Sequence, residues 1–414
     1  MKKSLIALAV LAAAGTASAQ SSVTIGGILK EGVGRTSLSG TTTLPPVGGY
    51  LAAYGATLSP NSNTALIDGS SRLLISGVED LGGGTAAFFQ VDSRFKMDDN
   101  TGGPFGWGGG NTFAGLRGGW GSVQFGKLDT HYCTSVNDDV AGNGTAMALQ
   151  GSSCALQGYV NGSTQGRSIA VTSRSVNTLR YTTPNLAGFT GALSYSFNPY
   201  GAERAATTTA GSRGSAVGLG LNYDQGPLSA RFSHYTHKQT GAVGAATGAD
   251  ITAAGAAGTA SSHRGWLLGV GYNFGIAKVG LTYDRSQLRE LTAAAATGTA
   301  FAGAGTAERS VWIVPVTVPI GPGALIANYS RASNVKLGVG GTLAGTDAKL
   351  FTIGYNYNMS KRTSLGASWS RLNNGAAGGY QLYTNSSLGN AGMAAGVPPG
   401  TDQSLFYLDL RHVF

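Results

Sequence analysis

The last eleven residues, Ser404 to Phe414, alternate strictly in steps of two. One face carries Phe406, Leu408, Leu410, His412 and Phe414, and the other Leu405, Tyr407, Asp409, Arg411 and Val413. Charge on one side and a largely apolar other side mark a β-strand between two unlike media. The strand ends on an aromatic, and closing a barrel in a membrane is one reason to pin a terminal strand. An edge strand of a soluble sandwich has the same local pattern, so the rest of the chain must decide.

The first residues read as an address. Lys2 and Lys3 precede an apolar stretch from Leu5 to Ala14, and Ala17-Ser18-Ala19 forms a cleavage site before Gln20. Residues 1–19 are therefore expected to be a signal peptide and residues 20–414 a single domain. Without the leader, 26 basic residues face 19 acidic ones, a net charge of +7. The later chain offers no run of about 20 apolar residues, so entry into a membrane requires a closed barrel rather than helices. The densest run, Val311 to Ile320, holds Pro315 and Pro319 and is too short. Nucleic acid is a poor partner for this charge, because Lys and Arg are scattered singly behind a secretion signal.

Alternation recurs along the chain. Phe189, Gly191, Leu193, Tyr195 and Phe197 interleave with Thr190, Ala192, Ser194, Ser196 and Asn198, and Trp266, Leu268, Val270, Tyr272 and Phe274 with Leu267, Gly269, Gly271 and Asn273. The same holds for Phe351, Ile353, Tyr355 and Tyr357 and for Leu365, Ala367 and Trp369. Connection lengths separate a barrel from a sandwich. Seven short turns (80–84, 118–121, 184–188, 224–227, 273–275, 319–322, 358–361) carry hairpin residues. Between them lie eight long Gly/Ala/Ser/Thr/Asn-rich stretches, roughly 39–71, 97–110, 129–173, 199–213, 239–263, 290–308, 334–348 and 373–403. Seven turns and eight loops predict an all-β, sixteen-stranded antiparallel transmembrane barrel, wide enough to leave an aqueous channel. Trp120, Phe189, Tyr272, Phe274, Tyr355 and Tyr357 sit beside the short turns, where a periplasmic aromatic girdle belongs.

These segments resemble a family, the sixteen-stranded general porins of Gram-negative outer membranes, and most closely its beta-proteobacterial branch. The resemblance runs in order through Ser22–Gly27, Ser71–Gly84, Ala86–Asp92, Phe113–Leu116, Gly121–Lys127, Leu179–Phe189 and Leu410–Phe414. It implies a homotrimer in the outer membrane, in contact with its lipids and lipopolysaccharide. It also implies an inward-folded third loop that forms a constriction, where basic wall residues oppose loop acids. Carried over by position, the basic wall is Arg72, Lys127 and Arg174, with Asp129, Asp138 and Asp139 as the acids of the loop segment. Two features depart from the pattern: Ile28 replaces a common charge, with Lys30 two residues on, and residues 129–173 lack the Pro-Glu-Phe turn.

Parity places Lys30, Arg72 and Arg94 on the lumen face. Lys127 has the wrong parity relative to Val123 and Phe125, and a bulge at Gly126 would correct it. Lumen cations in a narrow neck concentrate anions, so the expected function is passive diffusion of small hydrophilic solutes and ions with anion preference. Cys133 and Cys154 are the two cysteines, both in the third loop and in an oxidising compartment. A bridge between them could contribute about 3 kcal/mol by the chain-entropy argument, and two thiols are the alternative. No catalytic or metal motif is present: His234 and His237 lie three apart, hence on opposite strand faces, and His131, His263 and His412 are isolated. Neither an enzyme nor a cofactor is expected. The rivals are a substrate-specific porin, with a saturable sugar or organic-acid site, and a barrel serving as adhesin or structural anchor.

Overall fold

Strict alternation leaves every strand with two unlike faces, and the chain resolves this by closing on itself. A computed structural model describes residues 22–40, 61–69, 71–97, 109–129, 140, 156, 174–199, 213–240, 261–291, 305–380, 382 and 400–414. The first strands are β1 (Ser22–Ser39), β2 (Asn61–Asp68), β3 (Arg72–Gly82), β4 (Thr85–Arg94), β5 (Thr112–Gly118), β6 (Gly121–Asp129) and β7 (Arg174–Thr182). They are followed by β8 (Phe189–Ser196), β9 (Arg213–Gln225), β10 (Leu228–Thr240), β11 (Ser261–Asn273), β12 (Lys278–Leu291), β13 (Gly305–Ile320) and β14 (Gly323–Ala332). The last are β15 (Val335–Leu337), β16 (Thr342–Leu343), β17 (Ala348–Asn358), β18 (Thr363–Asn374) and β19 (Asp402–Val413).

Pairing is antiparallel throughout. β1 pairs with β19 from Ile28↔Val413 to Ser39↔Asp402, which closes the barrel as the terminal pattern requires. On its other side β1 pairs with β3 over Ser22–Ile28 and with β2 over Glu31–Leu38. β2 and β3 are thus one broken barrel strand: Glu31 pairs with Asp68 and Ile28 with Arg72, and the register slips between them. The break is sealed by Ser71, whose hydroxyl donates to the Lys30 carbonyl (3.1 Å) and accepts from the Lys30 N–H (3.0 Å). β15 and β16 form a small hairpin in the connection from β14 to β17, leaning on β13 through Ala307↔Leu337. With β2 and β3 counted together and that hairpin set aside, sixteen strands form the ring. The stretch expected as a loop over 39–71 therefore holds strand at 61–68, because its Asn61–Leu66 half alternates too weakly to read as strand.

The seven short connections lie at the expected places. In Gly226-Pro227 and Gly321-Pro322 the glycine takes a φ of +57° and +56°. Proline cannot follow into positive φ, so these are II′ hairpin turns that suit the strand twist. On β18 the exposed residues are Leu365, Ala367 and Trp369, while Ser364, Gly366, Ser368 and Ser370 are turned inward and buried. On β19 Phe406, Leu408 and Leu410 face out, and Leu405, Tyr407 and Asp409 face in. Aromatics mark both rims of the apolar band. Phe189 with Tyr223 (ring centroids 4.4 Å apart) and Tyr272 with Phe274 (4.8 Å) lie at the short turns. Trp266, Tyr283 and Trp312 form a row nearer the long loops, at 5.2 and 4.6 Å.

One sector of the inner face is not polar. Val311 and Ile313 of β13, Ala332 of β14, Ala348 and Leu350 of β17, Leu372 of β18 and Leu405 and Tyr407 of β19 form a buried cluster inside the barrel. Ile67 of β2 and, from the connections after β6 and β18, Leu156, Tyr380 and Leu382 complete it. This explains why Val311–Ile320 is apolar on both faces: the outer face meets lipid and the upper inner face meets returning chain.

Candidate pore constriction

Strands β3 to β7 are short, and their loop-side ends carry the basic residues singled out by parity. Asp92 of β4 is the hub. Arg94 grips it with two hydrogen bonds, Nε at 2.8 Å and Nη2 at 2.9 Å, while the Arg72 guanidinium lies 3.9 Å from the same carboxylate. One acid thus serves two guanidinium groups. Arg174 pairs with Asp129 at 2.8 Å, and Asn111 ties the pair together by donating to Asp129 (2.7 Å) and accepting from the Asp129 N–H (2.9 Å) and from Arg174 (3.2 Å). Lys30 is buried and lies 3.9 Å from Asp409 of β19, with its stem over Gly69.

Lys127 reaches the same cluster through a distortion. The β6–β7 register shifts between Gly126 and Leu128, where Val176 and Asn177 together face Lys127. Gly126 has φ +145° and Asn177 φ +51°, both in the left-handed half of the map. The expected irregularity is present, with its extra residue on β7. The Lys127 ammonium donates to the Gly109 carbonyl at 3.1 Å and has Arg174, Arg94 and Asp92 as its charged neighbours.

Asp129 needs correction. It closes β6 on the barrel wall, directly opposite Arg174, rather than facing the basic wall from a loop. The pairing of β6 with β7 simply runs one step further than the apolar alternation suggested. Asp138, Asp139, Cys133 and Cys154 lie outside the described residues. Two residues of that segment are described, and both are inside the barrel. The Val140 backbone lies so close to Gly271 that a Cβ there would collide with its carbonyl, and its side-chain Cγ1 lies against the facing Gly280. Leu156 sits on the inner face of β13, where Arg309 donates to its carbonyl. These contacts lie five to seven strands round the ring from β6, so Val140 and Leu156 sit nearly across the lumen from it.

Arg180, Arg411 and Asp92 are among the members of the wall not singled out from sequence. Arg180 of β7 donates to Gln124 (2.9 and 2.6 Å) and to the Asp129 carbonyl (3.1 Å). Arg411 neighbours Lys30 and Asp409, and Asp92 anchors the pair of arginines. All three share the parity of lumen residues on their strands, which was the available signal. Among the described residues, the wall gathers seven cations (Lys30, Arg72, Arg94, Lys127, Arg174, Arg180, Arg411) and four carboxylates (Asp68, Asp92, Asp129, Asp409).

A family model described as "Gram-negative porin" matches residues 5–377. The chain belongs to the Gram-negative porins. This porin is 30% identical, over the full length of both chains, to outer membrane porin protein 32 of Delftia acidovorans. It is 28% identical to an outer membrane porin protein of Bordetella pertussis, covering 88% of this chain and 92% of that one. Among solved structures, its fold matches an anion-selective porin from Comamonas acidovorans with TM-score 0.67 and 24% identity, over 95% of this chain and 100% of the other. The trimer form of OmpT from Vibrio cholerae matches with TM-score 0.59 and 13% identity, over 95% and 99%. The porin is a closed sixteen-stranded channel of the outer membrane, and its relatives are channels rather than enzymes.

Proposed function

We propose that this porin conducts small hydrophilic solutes passively and prefers anions, the preference being set by the wall of Lys30, Arg72, Arg94, Lys127, Arg174, Arg180 and Arg411. The observation that carries this reading is the excess of seven cations over four carboxylates, among the described residues, on one sector of the lumen wall. An anion passing within a few ångströms of that wall is favoured and a cation disfavoured by the same amount. The anion selectivity stated for the Comamonas structure supports the reading. The positions of Val140 and Leu156 inside the barrel support the third loop as the other side of the neck; the candidates Asp138, Asp139, Cys133 and Cys154 lie outside the described residues. Residues 1–19 are removed on export, so the mature chain starts at Gln20.

Assembly and surroundings belong to the same proposal. The porin forms homotrimers, a reading supported by the trimer form of the Vibrio cholerae OmpT that shares its fold. Its long-loop rim contacts lipopolysaccharide: Arg264, Arg285, Arg331 and Lys349 face outward just above the row of Trp266, Tyr283 and Trp312. The test of function is liposome swelling with neutral sugars of increasing size, run beside planar-bilayer recording of the same trimer. Size-graded uptake without saturation is expected. Uptake of one solute that saturates, with its isomers excluded, would establish the substrate-specific rival, and a folded trimer passing neither solute nor current would establish the adhesin or anchor.

A further inference from the structure

A water-filled lumen does not need leucine and isoleucine on its wall, yet β13 to β19 turn an apolar sector inward. Its β13 edge lies on the far side of the ring from Asp92 and Arg94: β12 is eight strands from β4. At its edge two charges are buried completely. Arg309 of β13 pairs with Asp284 of β12, and neither side chain has exposed surface. Such a pair rarely outperforms apolar residues of the same volume in stability, because desolvation offsets the attraction. What it offers is direction. The guanidinium has five donors in a fixed plane, and Arg309 spends one nitrogen on Asp284 and another on the carbonyl of Leu156. Leu156 belongs to the segment after β6, and its side chain is sunk into the apolar sector.

The same arginine has Tyr380 as a neighbour, whose ring is fully buried in the cluster. Tyr380 belongs to the segment after β18, and its backbone is clamped from the wall. Its N–H donates to Asn374 Oδ1 (3.0 Å), and its carbonyl accepts from Asn374 Nδ2 and Gln403 Nε2, both at 2.9 Å. Leu382 follows, with its N–H on Gln403 Oε1 (3.2 Å). Two long loops therefore meet on one apolar seat with Arg309 between them. Apolar contact alone is non-directional and lets a loop slide; a planar donor on its carbonyl fixes its register.

We propose that Arg309 is a positioning residue of the pore: held by Asp284, it locks the segments containing Leu156 and Tyr380 on the apolar seat and so gives the channel a single width. This rests on the reading of residues 130–173 as the other side of the constriction. The test is single-channel recording of Arg309→Met and of Asp284→Leu with Arg309→Met, each first checked for a heat-modifiable trimer. Both are expected to show open-channel noise raised severalfold, with sublevels replacing one steady conductance, while anion preference keeps its sign because the basic wall is untouched. Arg309→Lys, which keeps charge but not the planar fork, is expected to restore folding without restoring steady current. Should neither Arg309→Met variant fold, Leu156→Gly serves instead, since it leaves the ion pair and the wall intact; raised noise is expected again. Wild-type noise and conductance in the folded variants would overturn the proposal. A wild-type protein that forms no channel would instead overturn the function on which it rests.

Discussion

Replacing Arg72 and Lys127 together by Gln isolates the electrostatic role of the wall. Neither change strands a buried partner: Asp92 keeps both hydrogen bonds from Arg94, and a glutamine amide can still donate toward the Gly109 carbonyl. An ion passing about 5 Å from a unit charge in water-like dielectric feels about 0.8 kcal/mol. Screening at 0.1 M salt, with a Debye length of about 10 Å, leaves about 0.5 kcal/mol. Anion and cation shift in opposite directions, so each charge alters their ratio by about 1 kcal/mol, or roughly fivefold. Removing two is expected to lower the anion-to-cation permeability ratio by about fivefold to 25-fold at 0.1 M. At 1 M, where the Debye length is about 3 Å, the change falls to about twofold to threefold. The assay is the zero-current potential in a potassium chloride gradient, measured at both concentrations. Arg264→Gln with Arg285→Gln, on the outer face, changes net charge equally and is expected to leave the potential alone. An unchanged potential in the wall variant, or an equal shift in the outer one, would place Arg72 and Lys127 outside the neck.

Other expectations are independent of ion flow. Asp409→Asn removes the carboxylate beside buried Lys30 and is expected to cost about 3–5 kcal/mol, while Lys30→Met with Asp409→Leu costs far less, both measured by urea unfolding in lipid vesicles. Gly271→Val forces the Val140 backbone off its seat and is expected to change conductance without changing trimer content; identical current would show that Val140 does not bound the pore. Trp312→Ala loses a ring pair worth about 1 kcal/mol with Tyr283, seen as a lower unfolding midpoint. An unheated sample is expected to migrate as a trimer in a mild detergent gel, and a monomer band alone would refute trimeric assembly.

The barrel was legible because its physics is local. Ser364 to Ser370 and Phe406 to Arg411 state their two environments residue by residue, and Gly226-Pro227 states its turn. What could not be read depends on chain that returns from elsewhere. Val311 and Ile313 face inward yet are apolar, which makes sense only once Leu156 and Tyr380 cover them. The cations Arg72 and Arg94 were legible from parity, whereas their sharing of Asp92 is a cross-strand fact. Asp129 was misplaced because a strand end has no signature beyond the loss of alternation. Lys127 shows the reverse case: its parity conflict pointed to a backbone irregularity, and Gly126 and Asn177 supply it.

The most direct measurement is the zero-current potential of the unmodified porin in a planar bilayer, with a tenfold potassium chloride gradient at low salt. The wall of seven cations and four carboxylates leads to steady ohmic channels, in steps of three, whose potential has the sign of anion preference. A potential of the opposite sign, from channels that are otherwise intact, would contradict the assignment of that wall as the part of the pore that chooses the ion.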